Sequence, residues 1–152
     1  MGKVKNGDVI KVSRMDGLYY HYGIYVKRWL WSDSVIHYTG ETGPGDFNGM
    51  VRETSVGEFL NGESDFIVVD LAGNSNYPYL YSGRETVRRA KSMIGARNYS
   101  LRFNNCEHFA KWCKTGIKRS LQTEGLAEIL LAPVEFCIDL KNGFSDFFDD
   151  LL

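Results

Sequence analysis

The run Asn104-Asn105-Cys106-Glu107-His108-Phe109, continuing through Ala110-Lys111-Trp112-Cys113-Lys114-Thr115-Gly116-Ile117, constrains this chain more than any other stretch. Phe109, Ala110, Cys113 and Ile117 recur at helical spacing, Asn104 or Asn105 suits the N-cap, and Gly116 suits the C-terminal end. A helix so placed carries Cys106 in its first turn, where the positive end of the helix dipole favours a thiolate over a thiol. His108 is a poor partner for it, because residues two apart on a helix point to different sides. A base for Cys106 must then come from elsewhere in the chain, and the only other histidines are His21 and His37.

Both lie in the N-terminal third, which reads as strands. Gly7–Ser13 is the first, broken by Met15-Asp16-Gly17, and Tyr19–Val26 is the second, rich in Tyr, Val and Ile. Period-two alternation puts His21, Gly23 and Tyr25 on one face and Tyr22, Ile24 and Val26 on the other. Lys27–Ser34 is a short connection carrying Trp29 and Trp31, and Ser34–Tyr38 is the third strand, with His37 inside it. So short a link makes the two strands antiparallel neighbours, with His21 and His37 side by side on one face and the start of the Cys106 helix packed over them. One imidazole would pair with the thiolate and the other would hold the first in the useful tautomer. Each residue taken singly is better read as a half-buried structural histidine or an inert buried thiol. The three together favour chemistry. Zinc on the same three side chains finds no support in Cys-x-x-Cys or His-x-x-x-His spacing.

The rest of the chain supplies the frame. Thr39–Asn48 is a Gly-rich loop, suited to a lid. Ser55-Val56-Gly57-Glu58 matches a capping box for a short helix ending at Asn61-Gly62. Phe66–Leu71 reads as a central apolar strand and Asn74–Tyr81 as a turn region. A second capping box at Ser82-Gly83-Arg84-Glu85 opens a helix with Val87, Ala90 and Ile94 on its apolar side, closed by Gly95. Asn98–Phe103 is an extended lead-in to the Cys106 helix.

Composition narrows the function classes. The 152 residues make one domain with a substantial core, and a net charge of −1 without a basic block argues against nucleic acid. Three cysteines (Cys106, Cys113, Cys137) in no scaffold-like spacing favour a reducing compartment and a free thiol. The N-terminus has no apolar core of a secretion signal and no Ser or Thr at position 6 for N-myristoylation. No apolar run reaches the ~18 residues that span a bilayer. These features point to a cytoplasmic protein, at most peripheral to membranes.

Asn-Cys-Glu-His-Phe, preceded in order by Gly-Asp-Val-Ile, His-Tyr-Gly-Ile-Tyr-Val and Val-Ile-His-Tyr, resembles the lecithin retinol acyltransferase (LRAT) family, which includes the small phospholipase A/acyltransferases and bacterial and viral relatives. The resemblance covers roughly Lys5 to Ile117. It implies an α+β, permuted papain-like fold of the NlpC-type superfamily, with an antiparallel sheet packed against the cysteine-bearing helix. The chain then reads as a catalytic domain, residues 1–117, and a C-terminal helical extension, residues 118–152, which matches nothing in the family and is expected to pack on the same domain. The resemblance implies Cys106 as nucleophile, His21 as general base and His37 as the orienting residue, with no cofactor and no metal. The implied reaction is attack on a glycerophospholipid or other acyl ester to give an acyl-thioester, then transfer to an alcohol, an amine or water. The chain lacks the C-terminal transmembrane helix of the mammalian members, so peripheral membrane contact would fall to Trp29 and Trp31 or to Leu126–Leu140. Two other classes stay open: a cysteine peptidase or amidase of the NlpC type, and a non-catalytic protein-interaction module.

Overall fold

Val9–Arg14 (β1) and Tyr19–Val26 (β2) form an antiparallel hairpin in register from Val9↔Ile24 to Arg14↔Tyr19. Its turn uses the left-handed backbone at Met15, Asp16 and Gly17, with φ of 50°, 55° and 91°. Two of those three carry side chains, the short polar Asp16 being a usual occupant of this region and Met15 an unusual one. The computed structural model describes residues 3–39, 49–97 and 105–117. The chain divides into Met1–Arg119 and Ser120–Leu152, and the description concerns the first unit. The Gly-rich loop, the lead-in Asn98–Phe103 and the C-terminal extension 118–152 lie outside the described residues.

Ser34–Thr39 (β3), Met50–Ser55 (β4) and the two-residue Ile67–Val68 (β5) complete an antiparallel sheet in the order β4-β3-β2-β1-β5. Val56–Leu60 (α1), Gly83–Ser92 (α2) and Asn105–Thr115 (α3) are the helices, so the α+β class and the antiparallel sheet hold. The first capping box is complete: Ser55 Oγ accepts from the Glu58 N–H, the Glu58 carboxylate accepts from the Ser55 N–H, and Asn61 closes the helix in the left-handed region. The second is half formed. Ser82 Oγ accepts from the Glu85 N–H, but the Glu85 carboxylate turns to Arg88 instead of back to the cap.

Two readings of the sequence need correction. Phe66–Leu71 is no central strand: β5 pairs only through Ile10↔Val68 and Lys11↔Ile67 at the sheet edge, and Ile67 and Val68 are 48% and 40% exposed. Its short aliphatic run serves as a brief edge pairing on β1, with no strand beyond it. The helix after Ser82 stops at Ser92, with Met93 at the cap buried in place of Ile94, which is 46% exposed. Strand β4 has no signal in the sequence because Arg52, Glu53 and Thr54 dilute its aliphatic character, as edge strands often require.

The sheet buries both faces, and α2 and α3 pack on β2 and on each other. Ile10, Val12, Tyr25 and Val35 form one core with Phe59 of α1, flanked by Val4, Val56, Leu60 and Phe66. Gly23 lets that core close. A Cβ built there would lie 2.5 Å from Val35 Cγ1, 3.0 Å from Phe59 Cε2 and 3.2 Å from the Cβ of His37. Gly23→Ala is therefore expected to destabilise the fold by ~1–3 kcal/mol through overpacking, read as a lowered urea midpoint at unchanged slope. An unchanged midpoint would contradict the close approach of Phe59.

Candidate active site

Helix α3 begins at Asn105 and carries Cys106 in its first turn, as its spacing requires. Gly116, at φ 74°, follows the helix end, with its N–H bonded to the Trp112 carbonyl. Cys106 is 2% exposed, and its Sγ lies 4.0 Å from the carbonyl oxygen of Tyr20. That carbonyl faces away from β1. Tyr25 bonds to β1's lead-in through its N–H to Asp8 and its carbonyl from Gly7, so backbone groups of even-numbered β2 residues point towards β3. The β2–β3 pairing runs only from Gly23↔His37 to Val26↔Ser34. Cys106 thus meets β2 along the edge left unpaired by β3, one residue before His21.

His21 and His37 share a face, as alternation demands, but they stand diagonally and not directly opposite, because His37 pairs with Gly23. The diagonal lets the rings meet: His21 Nε2 is 2.8 Å from His37 Nδ1, with ring centroids 5.0 Å apart in an edge-on arrangement. Phe59 covers both, its ring centroid 5.4 Å from that of His21 and 5.1 Å from that of His37. The cover of the histidine face is therefore α1. On the opposite face of β2 the Tyr22 phenol is pushed well above its usual range by burial and then by Glu107 and Cys106.

His37 makes a second bond that the sequence did not announce, from Nε2 to Thr54 Oγ1 on β4 at 2.7 Å. If the Thr54 hydroxyl gives its proton to the Ser55 carbonyl, 3.2 Å away, it accepts from His37 Nε2–H. His37 Nδ1 is then an acceptor, and His21 Nε2–H donates to it. The lone pair of His21 is left on Nδ1. A threonine at the start of a capped helix is ordinary, and only the register of an edge strand brings it to His37.

The pair is held neutral. Burial, then His37, then Arg14 lower His21 to about 3, and burial followed by Arg14 lowers His37 to about 4, with Glu58 and the Tyr38 backbone acting in the opposite sense. Arg14 is anchored next to them by donating to the carbonyls of Phe59 and of Leu60, the latter at 2.9 Å, where it completes the last turn of α1. Behind the cysteine, Glu107 is buried and pairs with Lys111 one turn on, and Lys111 also lies 6.0 Å from the Tyr77 ring centroid. His108 is half-buried, with its Nε2 enclosed without a hydrogen-bond partner and its basicity lowered by burial. Cys113 is fully buried, and burial raises its pKa well above that of a free thiol. Cys137 lies outside the described residues. Among those residues, no group of three or more His, Cys, Asp or Glu is placed to hold a metal ion, and no helix is long and apolar enough to cross a membrane.

The candidate site thus consists of a helix-start thiol at a strand edge and a hydrogen-bonded histidine pair on an antiparallel sheet. The family model described as lecithin retinol acyltransferase matches residues 2–119. The chain is 32% identical over 136 residues to the lecithin retinol acyltransferase of Mus musculus, covering 78% of this chain and 57% of that protein. With that of Rattus norvegicus it shares 31% over 153 residues, 87% of this chain and 64% of the relative. The Homo sapiens protein matches at 33% over 78 residues, 51% of this chain and 33% of the relative. The chain therefore belongs to the lecithin retinol acyltransferase family, and it spans less than two thirds of the length of these relatives.

Two measurements follow from the site. Cys106 in the first turn of α3 should react with iodoacetamide at pH 6 well before Cys113, whose deep burial disfavours the thiolate. Equal native labelling of the two would refute the assignment. The histidine pair should also make stability pH-dependent. Both folded pKa values lie below the ~6.5 of a free imidazole, so the unfolded chain binds protons that the folded one refuses. Stability from this source is complete above pH 6.5 and falls as pH drops, to about 4 for His37 and about 3 for His21, by at most about 1.4 kcal/mol per pH unit for each group. Urea unfolding at pH 7 and pH 5 should show a loss that shrinks in the His21→Phe/His37→Gln double variant. An equal loss in both proteins would mean that the pair is not buried neutral.

Proposed function

We propose that the protein is a thiol acyltransferase acting on acyl esters of glycerophospholipids through an acyl-thioester on Cys106. The observation that carries this reading is the hydrogen-bonded chain Thr54–His37–His21 at the same end of β2 that Cys106 meets, which we take to be directed so that the lone pair of His21 is on Nδ1. Membership of the family and the printed name of its relatives support acyl transfer as the reaction class. The order of the elements, histidine strands first and cysteine helix last, supports a permuted papain-like fold.

In this mechanism the Cys106 thiol gives its proton to His21 Nδ1 as Sγ attacks the ester carbonyl carbon. The resulting oxyanion is met by first-turn N–H groups of α3, which have no acceptor within the helix. Collapse breaks the bond to the leaving alkoxide, which takes the proton back from His21, and the acyl group stays on sulfur. An alcohol, an amine or water then gives a proton to His21 and attacks the thioester, the C–S bond breaks, and the departing Cys106 sulfur takes that proton back from His21. A neutral imidazole suits the first step, since a protonated one could accept nothing. His37 and Thr54 act as positioning residues: they hold the tautomer in which Nδ1 is the base.

Incubation with phosphatidylcholine vesicles should release lysophospholipid and add one acyl mass to Cys106. Absence of that adduct on any phospholipid, with cleavage of a dipeptide amide instead, would favour a peptidase. His21→Ala should lower the rate by at least ~10²-fold, the usual range for a lost general base. Thr54→Val removes one hydrogen bond, about 1 to 1.5 kcal/mol, and should cost about tenfold in kcat, while Thr54→Ser should retain near-full activity. If Val and Ser behaved alike, the hydroxyl would have no part in holding the tautomer.

A further inference from the structure

The connection between β2 and β3 displays three consecutive large apolar side chains to solvent: Trp29 is 96% exposed, Leu30 79% and Trp31 76%. Isolated exposed apolar residues are ordinary, but a contiguous trio that includes two of the chain's three tryptophans is not. The loop beneath them is built. Asp33 accepts from the Arg28 N–H at 2.8 Å through one carboxylate oxygen and from the Tyr25 hydroxyl through the other. The Lys27 N–H donates to the Asn6 side chain at 2.9 Å, and the Arg28 guanidinium pairs with Glu53 and reaches Ser34 Oγ. These bonds brace the base and leave the tip to carry only apolar side chains.

We infer that Trp29, Leu30 and Trp31 form a docking tip that inserts into the interfacial region of an anionic lipid bilayer. The chemistry of the tip favours this occupant. Tryptophan partitions to the headgroup level, where its ring is in contact with acyl chains and its N–H stays hydrated. Lys5, next to Asn6, and Lys27 are exposed at the base of the same loop, placed to meet lipid phosphates and carboxylates as the tip enters. A convex tip of two indoles also needs no preformed groove in its partner.

Docking here does not depend on acyl transfer. Lys27 lies six residues along from His21, roughly 20 Å in an extended strand, at the end of β2 remote from Cys106. The tip can therefore be changed without touching the thiol.

Cosedimentation of the full chain with phosphatidylcholine vesicles, with and without phosphatidylserine, tests the assignment. The wild type should bind the phosphatidylserine vesicles more tightly, with a blue shift in tryptophan emission. Trp29→Ser/Trp31→Ser should lose roughly tenfold or more in binding, and Lys5→Gln/Lys27→Gln should weaken binding and flatten its salt dependence. Both variants should keep the wild-type far-UV circular dichroism and the wild-type turnover of a short-chain monomeric ester. Binding by the tryptophan variant equal to wild type would overturn the inference. So would wild-type binding to neither vesicle, or a blue shift that appears without lipid as the protein self-associates.

Discussion

The hydrogen bond from His21 to His37 is the interaction on which the site depends, and much of the local fold exists to make it possible. Two imidazoles in a dry interior cannot both be charged, and a neutral pair can bond only if one donates and the other accepts. Thr54 decides which. In the proposed mechanism its hydroxyl gives its proton to the Ser55 carbonyl, which orders the protons along the chain from one end. The helix that covers the pair is tied to it at three points. Thr54 precedes the N-cap Ser55, the Phe59 ring contacts both imidazoles, and Arg14 closes the C-terminal turn. A helix of five residues has little stability of its own, and these contacts are what hold it.

The same economy explains Gly23. A side chain there would separate Phe59 from the strand and lift it off the histidines, so the smallest residue sits between them. On the cysteine side the buried pair of Glu107 and Lys111 fills the space behind the first turn with groups that satisfy each other. The two charges are costly to bury, and their attraction offsets this cost only while both are present. Loss of one partner would disturb the turn that carries Cys106 without touching the thiol itself.

Much of this was legible in the sequence, and the limits have physical causes. Tyr19–Val26 alternates so regularly that its bounds and the face of His21 could be read directly, and the Cys106 helix announced itself through Phe109, Ala110 and Cys113. The complete capping box at Ser55 marked α1. What stayed hidden depends on register and on edges. Strand β4 has too few aliphatic residues to signal itself, so Thr54 could not be placed beside His37. The Phe66–Leu71 run looked central because apolar content measures hydrophobicity and not neighbours. The meeting of Cys106 with the Tyr20 carbonyl follows from where β3 ends its pairing with β2, which periodicity does not report.

The account rests on the ordering of protons along Thr54, His37 and His21, and imidazole 15N chemical shifts measure that ordering directly. Long-range 1H–15N correlation spectra at pH 7 should show His21 protonated at Nε2 and His37 protonated at Nε2, each with a pyridine-like Nδ1. The pattern should persist to pH 5, since both groups titrate below that. A proton on Nδ1 of His21, or an imidazolium signal from either ring at pH 7, would contradict the account.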